Sequence, residues 1–439
     1  MSVSSTSELT QSSTSPAMGF ERLIAIDTLR GVAVLGILVM NIYAFAMPFV
    51  AYQNPLALGG NEWYNVGTWF LTHVFFDQKF MTIFSLLFGA GSVMMATRAD
   101  VRGEKYGGLW YRRCFWLMII GALHGYFIWF GDILFHYGLM GMFIFLFRNR
   151  SARSLIITGC SLLLVGALFT VSGGPCMEDL KSRSAEIEQL QDAGQALTPE
   201  QTATLKEWEG IALLLKPAAE RVREDMAAYT AGYSKNFEQR ILIVQMMQTQ
   251  ATVAFVIWRV GGLMLIGMAL MKLGIISGER PNSFYRKLMF IGYGLGLPIM
   301  LASAYGMNSH QWDEFWMFGL GGFPNYIGSI LVAFGHIALV MTIVKNSILQ
   351  KLMARFTAVG RMALTNYLTH SIVMTTIFYG YGFGLYGQIP RIWQMAFVAA
   401  MLTFQLWFSP WWLERNRFGP AEWVWRSLSY WKRQPMAKT

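Results

Sequence analysis

The chain has 439 residues, of which 54% are hydrophobic, 15% aromatic and only 14% charged, far from the balance of soluble globular proteins. Its apolar residues gather into stretches of about 17–25, the length a helix needs to cross roughly 30 Å of hydrocarbon, which makes it an integral membrane protein and excludes soluble enzymes, secreted disulfide scaffolds and disordered chains. The basic excess, 35 Lys and Arg against 25 Asp and Glu, fits loops that hold a membrane protein in orientation and argues against nucleic-acid binding.

The fold class expected is all-α, a polytopic membrane protein of about ten transmembrane helices with one extracytoplasmic helical insert. Residues 1–20 are rich in Ser and Thr and lack both an apolar core and basic residues ahead of the first hydrophobic run, so they read as a disordered cytoplasmic tail rather than a cleaved signal. Residues 21–172 form an N-terminal bundle of about five helices, with apolar runs at Arg30–Phe49, Val66–Thr97, Trp110–Phe130, Ile133–Phe147 and Leu155–Val171. Residues 173–240 are a hydrophilic insert of helical composition (AEIEQLQDAG, LKEWEGIALLL). Residues 241–413 form a C-terminal bundle with runs at Ile241–Met271, Leu288–Tyr305, Gly321–Val344, Met362–Tyr379 and Ile392–Trp412, and residues 414–439 are a cytoplasmic tail.

Lys and Arg test this threading, because short cytoplasmic loops collect them. Arg22 and Arg30 precede the first run, Arg98 to Arg113 separate the second from the third, and Arg148, Arg150 and Arg153 follow the fourth. On the other side, 51–65 and 306–320 carry none. Arginines at both ends of Trp110–Phe147 demand a hairpin folded at Gly131-Asp132. Both termini then face the cytoplasm and the insert lies outside, exempt from the charge rule by its length.

Ionisable and amide groups inside spans are costly and are functional candidates by default. They are Asn41, His124, Arg259, His336, His370 and Asn366 near mid-depth, and His73, Asp77, Lys79, Asp132 and His136 nearer the outer surface. Packed together, these would surround one polar cavity opening outward. Each alone has a plainer reading as an interhelical hydrogen-bond partner; Asp77 with Lys79 reads equally as an interfacial ion pair, and Asp132 with His136, one turn apart, equally as a hairpin cap. Cys114, Cys160 and Cys176 lack the spacing of a disulfide framework or a metal site and read as packing residues. No His/Asp/Glu spacing suggests a metal. Gly382, Gly384 and Gly387 spell GxGxxG without a preceding strand and read as flexible loop, and Gly121 with Gly125 reads as a small-residue packing face.

Five segments in order, RLIAIDTLRGVAVLGILVMNI, KFMTIFSLLFGAGS, IGALHGYFIWFGDILFHYGLMG, VGRMALTNYLTHSI with FYGYGFGLYG, and FGPAEWVWRSLSY, closely resemble the YeiB-like family of bacterial inner-membrane proteins of unknown function, from about Arg22 to Tyr430. More distantly, Asp27-Thr28-x-Arg30-Gly31 with Asn41 is similar to the start of the lysosomal heparan-α-glucosaminide N-acetyltransferase, which moves an acetyl group from cytosolic acetyl-CoA to a sugar amine on the far side. That resemblance implies an active-site role for Asn41. It would place the catalytic histidine near Ala51–Gln53, where this sequence has none. Either another histidine takes over, His124 first by depth and His73 next, or the chain does not perform that chemistry.

The expectation is therefore a bacterial inner-membrane acyltransferase that carries an acyl group from cytosolic acyl-CoA to an extracytoplasmic hydroxyl or amine on an envelope glycan or lipid. His124 would be the general base, Asn41 the orienting or oxyanion group and Arg259 the stabilising charge. His73, Asp77, Lys79, Asp132, His336, Asn366 and His370 would contact substrate, and Arg30, Arg112 and Arg113 would hold CoA phosphates. No tightly bound cofactor is expected. The alternative is a carrier or exporter in which the same residues line a pathway; the absence of a clear internal repeat tilts away from it.

Overall fold

Hydrocarbon offers no partner for backbone N–H and C=O groups, so apolar segments must satisfy them internally, as helices. The structure, a computed structural model, describes residues 16–58, 60–101, 103, 105–212 and 218–438, and among these no strand forms beyond an isolated bridge between Asn416 and Ala437. Most of the expected N-terminal tail lies outside the described residues. Helix α1 (Pro16–Ala46) begins before Phe20 and is followed by the short α2 (Phe49–Gln53). The expected second span is two helices, α3 (Trp63–Phe75) and α4 (Lys79–Val101), broken at 76–78 where Gln78 adopts a left-handed φ of 62°.

The hairpin expected at Gly131-Asp132 is present: α5 (Gly107–Phe127) ends, 128–133 fold back, and α6 (Leu134–Ile144) descends beside it. Bare glycine faces allow the approach, since a Cβ on Gly121 would strike the Phe135 and Leu134 backbone and one on Gly138 the Cys114 carbonyl. Helix α7 (Ala152–Asp192) has 41 residues, about 60 Å at 1.5 Å per residue, and runs without interruption past Pro175 out of the apolar layer. Helices α8 (Pro199–Ala212) and α9 (Ala218–Thr230) complete the cap. The cap is docked on the bundle, with Phe49 N donating to Asp225 Oδ2 (3.1 Å) and Gly380 N to Tyr229 O (2.8 Å), while Gly387 N donates to Ala46 O of α1 (2.8 Å). Residues 380–387 are thus a hydrogen-bonded turn beneath the cap, with Gly384 and Gly387 at φ 70°, not a flexible loop.

Helix α10 (Tyr233–Gln248) returns to the bundle and leads through a π-helix (Thr252–Gly261) into α11 (Gly262–Lys272). Helices α12 (Asn282–Ser309), α13 (Glu314–Met317), α14 (Gly322–Lys345), α15 (Gln350–Arg361), α16 (Ala363–Phe378), α17 (Arg391–Arg415) and α18 (Pro420–Tyr430) follow. Among the described residues seven helical segments are long and apolar enough to cross a membrane. Of the ten expected spans, α6 and α16 are shorter, at 11 and 16 residues, and α5 carries Arg112, Arg113 and His124. Helix α1 is the central one, 78% buried over its apolar window against 28% for α7, α12 and α17 at the rim. The C-terminal segment is no loose tail: α18 folds under α5 and α16, with Trp425 Nε1 donating to Arg113 O (2.8 Å) and the Glu422 carboxylate accepting from Leu364 N (2.6 Å) and Thr365 N (3.1 Å) at the start of α16. Cys114 is buried as expected, whereas Cys160 and Cys176 sit on the exposed side of α7.

Candidate functional site

Where α1, α4, α5, α15, α16 and α18 meet at the arginine-rich end, they enclose a cavity of about 640 Å³. Arg30, Arg98, Arg113, Arg361 and Arg426 line its mouth with Asp27 and Glu422, and its depth is apolar and aromatic, including Phe84, Phe88, Leu117, Tyr137 and Tyr367. Arg30 is tied to Asp27 (2.6 Å), and Arg113 stacks on Trp425 at 4.1 Å. Burial and the neighbouring Arg113 and Arg30 charges pull the Arg426 guanidinium down, so the cations crowd one another and an anion between them would relieve the repulsion. Burial pushes the Glu422 carboxyl above the usual carboxylate range, against the hydrogen bonds from Thr365 and Leu364. An anionic head with an apolar tail fits both halves of this cavity.

A histidine–carboxylate pair stands directly behind the apolar end. His124 Nδ1 and Asp132 Oδ2 are 2.7 Å apart and both side chains are buried. A carboxylate oxygen can only accept, so Nδ1 carries the proton, and in the neutral imidazole Nε2 then presents its lone pair. His124 Nε2 has no hydrogen-bond partner among the described residues. The α5–α6 fold creates the pair: Asp132 Oδ1 also accepts from Phe135 N (2.8 Å), which fixes the carboxylate at the start of α6. Tyr367 separates the pair from the cavity, its ring 5.4 Å from the imidazole and its hydroxyl donating to Gly131 O (3.2 Å). Asp132 therefore serves His124, not His136, whose Nε2 donates to Met247 O (3.0 Å).

The other expected residues fall into separate networks instead of one outward cavity. His73, Asp77, Lys79, Arg259 and His336 gather where α3, α4, α12, α14 and the π-helix meet. Asp77 is held by His73 (3.3 Å) and Asn325 (2.7 Å), while Lys79 donates to the His73 carbonyl (2.6 Å), so Asp77 and Lys79 are not directly paired. Arg259 is committed to Tyr326 O (2.8 Å) and Ser329 Oγ (2.7 Å), and His336 bridges Tyr293 and Phe75 O. A third network clamps α16 to α17: His370 Nε2 meets Gln405 Oε1 (2.7 Å), and Asn366 donates to Ser409 Oγ (3.1 Å). No hydrogen bond among the described residues joins these networks to His124. Asn41 is half-buried and held by none of them. It lies on the stripe of α1 that runs from cavity-lining Arg30, Val34 and Ile37 to Phe45, whose ring stacks 4.0 Å from that of Trp129 beside His124.

Of the three arginines expected to hold phosphate, Arg30 and Arg113 line the cavity, but Arg112 points away, donating to Ser429 O (3.0 Å). Arg98, Arg361, Arg426 and Tyr367 also line the cavity, and in sequence the three arginines carry no signal beyond that of inner-loop charges. Tyr367 stands next to the candidate Asn366 in sequence but is itself one of many aromatic residues in the spans, and Arg426 enters only because α18 folds back. Among the described residues no group of three His, Cys, Asp or Glu could hold a metal ion.

The chain matches the family described as a protein of unknown function, DUF418, over residues 270–432. It is 33% identical to the uncharacterized protein YeiB of Escherichia coli (strain K12) over 93% of this chain and 96% of that one. It is 30% identical to the uncharacterized protein YxaH of Bacillus subtilis (strain 168) over 97% and 99%, and 26% identical to an uncharacterized 39.9 kDa protein of Bacillus acidopullulyticus over 95% and 96%. No solved structure matches.

Proposed function

The chain belongs to the YeiB-like family of proteins of unknown function, and from its own geometry we propose that it is a membrane acyltransferase using an acyl-CoA donor. The observation that carries this reading is the buried His124–Asp132 pair, its Nε2 unpartnered among the described residues, behind Tyr367 in the wall of an arginine-mouthed cavity. The arginines hold the donor's phosphates and the apolar depth takes the acyl chain. His124 removes the proton from an acceptor hydroxyl or amine, whose oxygen or nitrogen attacks the thioester carbonyl; the CoA thiolate leaves and takes the proton. Asp132 holds the imidazole in the basic tautomer and stabilises its protonated form. Asn41 supports the oxyanion from the adjoining stripe of α1, and Arg259, committed elsewhere, is left out of the chemistry.

The arginine-rich end faces the cytoplasm of a bacterial inner membrane in this reading, with both termini inside and the cap outside. With Cys160 and Cys176, both exposed, replaced by Ser, a cysteine introduced at Asp192 is then expected to react with a membrane-impermeant maleimide in intact spheroplasts; labelling only after lysis reverses the orientation. For the function itself, envelope lipids and glycans from cells with and without the protein are compared by mass spectrometry. An acylated species that disappears with the protein supports the enzyme, and identical profiles together with no acyl-CoA binding by purified protein would end the reading.

One observation favours a carrier instead. The α3–α4 break carries the buried Lys79 beside His73 and Asp77, opposite a π-helix bearing Arg259, and interrupted helices mark many transport sites.

A further inference from the structure

At the end opposite the arginines, polar side chains are buried under the cap without partners. Tyr229 and Tyr379 hydroxyls, both amide atoms of Asn236, and Nε and Nη2 of Arg240 have no hydrogen bond among the described residues. Asn236 and Arg240 are one turn apart on α10 and are 0% and 1% exposed. The Tyr229 ring lies 4.9 Å from that of Tyr379, and both hydroxyls feel the Asp225 carboxylate of α9 as well as the Arg240 charge. Native interiors leave few buried polar groups unpaired, and six such atoms belong to these four residues.

Their chemistry is specific. Arg240 spends Nη1 on the Ile128 carbonyl and keeps free the Nε–Nη2 edge, the side of the guanidinium that grips two oxygens of one phosphate or carboxylate. It faces aromatic rings, Tyr233 at 5.2 Å and Phe237 at 6.0 Å, and makes no salt bridge among the described residues. An uncompensated buried cation is costly, and a bound oxyanion removes that cost. The amide of Asn236 and the two phenols add donors and acceptors suited to hydroxyls near that oxyanion. Ile128, the residue Arg240 holds, adjoins Trp129, and the Trp129 ring packs edge-on against His124 at 6.3 Å with its own Nε1 unpaired. The cluster thus adjoins, through Ile128, the residue whose ring packs against His124.

We propose that Tyr229, Asn236, Arg240 and Tyr379 form a binding site for a phosphate-bearing, hydroxylated head group, the acceptor side of the reaction; its role as acceptor rests on the acyl-transfer reading, its binding does not. The test uses the purified full-length protein and native mass spectrometry with phosphatidylglycerol, phosphatidylcholine and soluble glycerol phosphate as probes. Phosphatidylglycerol is expected to bind in preference to phosphatidylcholine, which lacks the hydroxyls. Displacement by glycerol phosphate identifies the free head group as sufficient, and resistance to it identifies the lipid.

Arg240→Gln is expected to weaken phosphatidylglycerol binding roughly tenfold or more, the loss of a charge-assisted bond. Should that variant unfold, Tyr229→Phe combined with Tyr379→Phe removes only two hydroxyls, keeps the rings, and is expected to weaken binding without lowering the melting temperature. Binding unchanged in the Tyr→Phe pair and in any folded Arg240→Gln protein overturns the site. Acyl-CoA binding on the same samples should stay at the parent level. A parent that holds phosphatidylglycerol through these residues but binds no acyl-CoA keeps the site and ends the acyl-transfer reading.

Discussion

His124→Gln is expected to reduce acyl transfer by about 10²–10⁴-fold, the contribution of a positioned general base, while leaving the fold and the donor affinity near those of the parent. A glutamine amide can still donate to Asp132 in place of Nδ1, so the 2.7 Å contact has a substitute. It cannot accept and hold the proton of the acceptor, which is the one thing Nε2 is placed to do. Asp132→Asn should fall in the same direction for a different reason. An amide can donate to Nδ1 and favour the tautomer with the proton on Nε2, and it cannot stabilise the charged imidazolium. The measurement is transfer of label from radioactive acyl-CoA to extracted lipid or glycan by purified protein in its native lipids, with melting temperatures recorded alongside. A His124→Gln protein that turned over at close to the parent rate would return His124 to a packing role and leave the cavity without a base.

Gly360→Val should collapse the molecule's centre. A Cβ at Gly360 would overlap the Asp27 carbonyl oxygen of α1, and one at Gly31 would overlap the Phe356 carbonyl oxygen of α15; backbone cannot move aside as a side-chain tip does. In membranes such close approaches supply much of the packing between helices, since lipid tails are as apolar as leucine. The substitution is expected to cost about 3 kcal/mol or more, at the upper end of overpacking penalties, and to displace Arg30 and Arg361 from the cavity mouth. Gly294→Val is the control: no atom lies within 4 Å of a Cβ there, on the exposed side of α12, and the change should be nearly neutral. Thermal unfolding in one detergent compares the two. Equal melting temperatures for both variants would show that the α1–α15 contact does not hold the bundle together.

Much was legible in the chain alone. Composition and the apolar runs specify an all-helical membrane protein because a long continuous apolar run satisfies its backbone in the bilayer as a helix, whereas a barrel strand would be short and alternating. The Trp110–Phe147 hairpin followed from arginines at both ends, since a guanidinium is costly in hydrocarbon and pulls both ends to water. The candidates followed from the same cost: a buried histidine, asparagine or arginine stands out against a leucine-rich background wherever it falls. His124 stands out this way, whereas Arg30 and Arg113 stand out as arginines of the inner face.

What the linear pattern could not supply was partnership, which depends on how helices rotate and where they break. Hydrophobic periodicity is weak in helices that are apolar all round, so nothing in the sequence aimed Asp132 at His124 eight residues earlier and not at His136 one turn later. That choice was made when the hairpin folded back through Gly121 and fixed Asp132 on Phe135 N. In the same way Arg259 and His370, alike in depth, were sorted into different networks by the π-helix and by Gln405. The return of α18 brought Arg426 and Glu422 into the cavity wall, and the docking of α9 and α10 buried Tyr229 and Arg240. Cost of burial is a property each residue carries in the sequence; the partner that offsets it belongs to another helix, and only the packed bundle names it.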